Sequence, residues 1–70
     1  MSDCISYEVI RTKRNGEEEK ELFDIREEAE DAFETAASEL EPGEYECVEL
    51  LIMDWYERSG ATLDYHSFDD

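Results

Sequence analysis

From residue 27 to its end, this chain sets fifteen acidic residues against a single base, Arg58. Burying an unpaired carboxylate costs several kcal/mol, so any fold must leave nearly all of these groups in water. Residues 1–26 are different, with seven acids and five bases. The net charge of −16 therefore divides into −2 and −14. Surface acidity serving only solubility needs no such segregation. The apolar residues left between the charges decide the fold through their spacing.

Seventy residues make one domain, residues 1–70, with a small core. A domain this size buries only about 60% of its unfolded surface. High charge favours disorder, but eight Phe, Tyr and Trp residues, the β-branched runs and sharp turn signals favour a fold. Residues 4–13 alternate as a strand, with Ile5, Tyr7 and Val9 on one face. Asn15-Gly16 then predicts a type I′ hairpin, whose central residues need positive φ. That turn pairs Arg14 with Glu17, Lys13 with Glu18 and Val9 with Leu22, and places Arg11 unfavourably opposite Lys20. The second strand is residues 17–23.

Asp24 and Glu27 have capping-box spacing. Ile25, Ala29, Ala32, Phe33, Ala36, Ala37 and Leu40 then trace one helical face, which Pro42-Gly43 closes. The small alanines imply close approach to a sheet, anchored by Ile25, Phe33 and Leu40. Residues 45–57 read as a long strand, with Val48, Leu50, Ile52 and Tyr56 facing one way and Cys47, Leu51, Met53 and Trp55 the other. Ser59-Gly60 turns the chain, and Ala61 to Phe68 return with Leu63 and Tyr65 inward. The expected fold is α+β, in the order ββαββ: a four-stranded antiparallel sheet with one amphipathic helix on one face.

The outer helix face carries Glu27, Glu28, Glu30, Asp31, Glu34, Glu39 and Glu41. Acids in the first turn suit the helix dipole, but Glu39 and Glu41 oppose it. Glu27–Asp31 and Glu30–Glu34 are like-charge pairs at i, i+4, each costing about 0.2–0.5 kcal/mol. Stability alone does not select this face. Its carboxylate density approaches the axial charge density of one DNA strand, one charge per roughly 3.4 Å. Glu44, Glu46, Glu49, Asp54, Glu57, Asp64, Asp69 and Asp70 continue the field along the second hairpin. Such a surface repels nucleic acid and anionic membrane and attracts basic proteins, above all those that bind nucleic acid themselves.

Size, acidity and ββαββ order together resemble the small phage-encoded anti-CRISPR proteins, several of which are acidic DNA mimics. The resemblance implies a CRISPR-Cas subunit as partner, in a type I surveillance complex, with the inhibitor blocking DNA access. Anti-restriction DNA mimics are similar in mechanism. The partner-binding candidates are Glu27, Glu28, Glu30, Asp31, Glu34 and Glu39. A rival reading is an interaction module that docks through Leu51, Met53 and Trp55 on the sheet face away from the helix. Partial cover of that patch by Phe23, Phe68 and the termini is its plain counterpart.

Enzyme readings find no P-loop, dinucleotide or zincin motif. Cys47 and His66, with Asp64 as orienter, lack a supporting oxyanion pattern. Asp64, His66, Asp69 and Asp70 do not match a calcium loop and read as an acidic tail. Cys4 and Cys47 are too few for a disulfide scaffold, and the run Val48–Met53 is far too short to span a bilayer. The expectation is a non-enzymatic monomer of the bacterial host cytoplasm, with no cofactor or metal and no direct contact with nucleic acid or membrane.

Overall fold

The computed structural model describes residues 5–56 and 58–68. Cys4, Glu57, Asp69 and Asp70, named above, lie outside them. Four strands and one helix follow in the order β1 (Ile5–Lys13), β2 (Glu18–Phe23), α1 (Arg26–Glu39), β3 (Tyr45–Asp54) and β4 (Ser59–Ser67). They form one antiparallel sheet ordered β2-β1-β3-β4, so the fold is α+β with ββαββ order. β2 and β3 flank β1 and run parallel to each other, and the helix crosses β1 to connect them.

Alternation along the strands sends Val9, Val48 and Leu50 to the helix side, where they are buried with Ala29, Phe33 and Ala36. Tyr7, Phe23, Ala32, Ala37, Leu40 and Phe68 pack around them. Alanines at 29 and 36 bring the helix backbone close to the sheet. A helix about 10 Å across covers roughly two strands spaced about 4.8 Å apart. Here it rests mainly on β1 and β3, and less on β2. β4 is left uncovered, and all nine of its residues are exposed.

Several local expectations need correction. The first hairpin pairs Val9 with Glu21, Arg11 with Glu19 and Tyr7 with Phe23, one residue away from the expected register. Its loop has three residues, closed by Lys13 N–H to Glu17 O (2.7 Å) and Gly16 N–H to Lys13 O (3.0 Å). Gly16 has a φ of 99°, whereas Asn15 does not take positive φ. This is a type I turn followed by a left-handed glycine rather than a type I′ turn. The shift replaces the Arg11–Lys20 clash with Arg11–Glu19 (3.4 Å) and Arg11–Glu21 (3.5 Å) ion pairs. It also turns Phe23 inward and leaves Leu22 64% exposed on the other face.

The capping box is absent. Ile25 is the N-cap, with no side-chain cap hydrogen bond, which puts Asp24 one residue too early. Ile25 is 53% exposed and anchors nothing, while Phe33 and Leu40 do pack as expected. β3 ends at Asp54, and Tyr56 lies in the turn, 83% exposed. The turn takes in Trp55, Tyr56 and Arg58 rather than Ser59-Gly60, which belong to β4. A bulge at Leu63, between the pairs Leu51–Thr62 and Leu50–Asp64, reverses the alternation beyond it. Tyr65 therefore points away from the helix, and Asp64 and His66 point toward it.

The base of the first hairpin is knotted by Glu19. Its carboxylate accepts hydrogen bonds from Tyr45 Oη (3.1 Å) and Arg11 Nε (3.4 Å) and lies 3.6 Å from Lys13 Nζ. The Tyr45 hydrogen bond, then Arg11 and the charge of Lys13, hold Glu19 below the ordinary glutamate value of 4.5. A lowered folded-state pKa contributes stability that is present above 4.5 and is lost as pH falls through the folded value. Thermal melts should show wild type more stable than Glu19→Gln at neutral pH, with the difference vanishing on acidification. Comparing the two proteins removes the general relief of negative repulsion that acid brings to both.

Candidate partner-binding surface

The sheet order converts the sequence's charge asymmetry into a spatial one. Arg11, Lys13 and Lys20 stand on β1 and β2, and each is engaged by a neighbouring carboxylate of β2 or its turn. Arg26, at the start of the helix, pairs with Glu30 at 2.8 Å. Neither lysine nor arginine lies on β3 or β4.

With 3.6 residues per turn and the core at Ala29, Phe33 and Ala36, the helix acids spread over three directions. Glu27, Asp31 and Glu34 form the ridge farthest from the sheet. Glu30 lies on the flank toward β4, and Glu28 and Glu39 on the flank toward β2. Glu27, Glu28, Asp31, Glu34 and Glu39 are exposed, and none forms a salt bridge among the described residues. Glu30, half-buried and neutralised by Arg26, is the weakest of the six candidates.

Two hollows border the helix. On the β2 side, Asp31, Thr35 and Glu39 join Arg11 and Glu21 around a floor of Ala32, Ala36 and Leu40, enclosing about 600 Å³. On the β4 side, Arg26, Glu30, Glu34 and Asp64 rim a cleft of about 210 Å³ over Phe33, Leu50 and Leu63. Asp64 reaches this cleft through the bulge, so a plain alternating reading of β4 misses it.

Trp55 is not part of the acidic surface. Its indole N–H donates to Ser6 Oγ at 2.8 Å, and Ser6 faces away from the helix, opposite Met53. The same outer face carries Leu51 and Met53, as expected, and Ile10, together with Leu22 and Tyr65, which the shifted register and the bulge bring there. Phe23 and Phe68 pack on the helix side, so they do not cover this patch. It is not purely apolar, because Glu8, Glu49 and Lys20 interleave with it.

Cys47 lies on the outer face opposite Thr12 and Ser67, whereas His66 pairs with Val48 on the helix side. The sheet separates the two, and His66 stacks edge-on against Phe68, ring centroids 4.9 Å apart. Hydrogen bonding to the Cys47 thiol pushes the Tyr65 hydroxyl above its usual value. Among the described residues no three His, Cys, Asp or Glu side chains converge in a metal-holding group. No helix among them is long and apolar enough to cross a membrane.

No family model, curated protein or solved structure matches the chain.

Proposed function

We propose that this chain is an acidic DNA mimic that inhibits a nucleic-acid-binding defence complex of bacteria. The favoured role is that of a phage anti-CRISPR protein, blocking DNA access to a type I surveillance complex in the host cytoplasm. The observation that carries this reading is the solvent-facing helix ridge. Its carboxylates have no cation partner among the described residues, while Arg11, Lys13, Lys20 and Arg26 are each held in ion pairs. With these four bases already committed, the ridge carboxylates remain for a partner's.

Fourteen helical residues span about 21 Å at 1.5 Å per residue. Six carboxylates, Glu27, Glu28, Glu30, Asp31, Glu34 and Glu39, fall within that length but face three directions, and the ridge of Glu27, Asp31 and Glu34 alone carries one per about 7 Å of axis, about half the axial charge density of one DNA strand. Arginine or lysine that grips phosphate oxygens can grip carboxylate oxygens through similar charge-assisted hydrogen bonds. Nothing in this chemistry requires the inhibitor to carry out a reaction. An anti-restriction mimic would use the same surface on a different target.

The outer sheet face supports a second reading, an interaction module. Leu22, Trp55 and Tyr65 are each more than half exposed there. Capture on the tagged protein, washed at graded salt, separates the two readings. Mimicry predicts a partner released by high salt and captured equally well by Trp55→Ala, because screening weakens exposed charge contacts. A partner that survives high salt and is lost with Trp55→Ala would move the function to the sheet face.

A further inference from the structure

Resting on the mimicry reading, we propose that the free edge of β4 takes up an extended segment of the target as a fifth strand, with basic side chains at every second position. The two edges of the sheet are built differently. β2 carries Glu18, Glu19, Lys20 and Glu21, a run of charge that discourages strand addition. β4 reads Ser-Gly-Ala-Thr-Leu-Asp-Tyr-His-Ser, with one acid and neither lysine nor proline. Its outer side has no strand neighbour among the described residues.

The Leu63 bulge divides this edge and selects the part that pairs. Beyond it, Tyr65 N–H donates to its neighbour's carboxylate, Asp64 Oδ1, at 2.8 Å. A side chain satisfies this donor. An added strand supplies a carbonyl for that N–H and frees the Asp64 carboxylate for a cation. Charge complementarity then fixes the partner's chemistry. Side chains of an added strand alternate between faces. Those on the helix side meet Asp64 and Glu34 around the cleft that the helix leaves open over β4, where Arg26 already neutralises Glu30. Those on the outer side meet Tyr65 and Thr62. A strand with lysine or arginine at i, i+2 and apolar residues between them fits both faces, and backbone pairing supplies affinity as in other strand additions.

The test uses the full chain and two synthetic nine-residue peptides of five lysines and four valines. One alternates the residues and the other carries them in two blocks. Amide exchange and titration, both followed by NMR, should show the alternating peptide slowing exchange at Tyr65 and its β4 neighbours by at least tenfold. It should bind at least tenfold more tightly than the block peptide. Asp64→Lys should remove most of that preference with the rest of the spectrum unchanged, whereas Glu27→Lys, on the far ridge, should keep it. Equal, salt-sensitive binding of both peptides without β4 protection would overturn strand addition and leave the acidic-surface reading standing. Protection at β2 instead of β4 would also overturn it. Binding of neither peptide at low salt would count against both.

Discussion

Replacing Asp31 and Glu34 together with lysine is expected to abolish target binding while making the protein more stable. The effects on binding and on stability are opposed because the ridge is shaped for something other than stability. Both residues are exposed, lie on the helix side farthest from the sheet, and form no salt bridge among the described residues. Reversal turns the repulsive i, i+4 pairs Glu27–Asp31 and Glu30–Glu34 into attractive ones. Each change is worth about twice the 0.2–0.5 kcal/mol of a single pair, for a total gain of about 1–2 kcal/mol. In a domain of this size 1 kcal/mol raises Tm by roughly 4–8 °C. On the target, two charge-assisted contacts of about 1.5–3 kcal/mol each are lost and replaced by repulsion, so affinity falls by at least about 100-fold. A melting curve and a titration on the same double variant check both signs. Unchanged affinity would remove the helix ridge from the binding surface.

The second large effect falls on the core. Phe33→Ala is expected to cost about 3–5 kcal/mol. Domains typically have about 0.05–0.15 kcal/mol of stability per residue, which for seventy residues is roughly 3.5–10 kcal/mol. The variant should therefore lose from about a third to all of that stability. Phe33 is 6% exposed and joins the helix to Val9, Val48 and Leu50. Ile25→Ala, on the same nominal helix stripe, should cost less than about 1 kcal/mol, because Ile25 is 53% exposed. Denaturant titration of the two variants distinguishes the folded arrangement from the stripe read off the sequence.

That contrast marks where sequence reasoning reached and where it stopped. Strand and helix identities were legible because alternation and the 3.6-residue repeat operate over a dozen residues. The hairpin register was not, because Asn15-Gly16 serves both a two-residue I′ loop and a three-residue loop ending in a left-handed glycine. The two differ by one residue, and one residue exchanges Leu22 for Phe23 in the core. The β4 bulge was hidden for a similar reason. Alternation predicts Leu63 and Tyr65 inward, and nothing in the residue types marks Leu63 as the extra one. Asp64 entered the helix-side cleft unannounced as a result.

The ridge acids were legible because exposed carboxylates on a helix need no tertiary information. Their ranking needed more. The i, i+4 spacing of Arg26 and Glu30 already carried the signal that Glu30 would be neutralised. The commitment of Arg11 and Lys13 to Glu17, Glu19 and Glu21 could emerge only with the correct register.

Competition with DNA for the target decides whether this protein is a mimic. Purified type I surveillance complexes, loaded with guide RNA and bound to a fluorescent target duplex, are titrated with this protein while anisotropy reports the bound DNA. Mimicry predicts displacement of the duplex, with a midpoint that rises steeply with salt and a Asp31→Lys/Glu34→Lys protein that fails to compete. A complex that holds the duplex and this protein together, or a panel of complexes that all ignore the protein at low salt, would contradict the account.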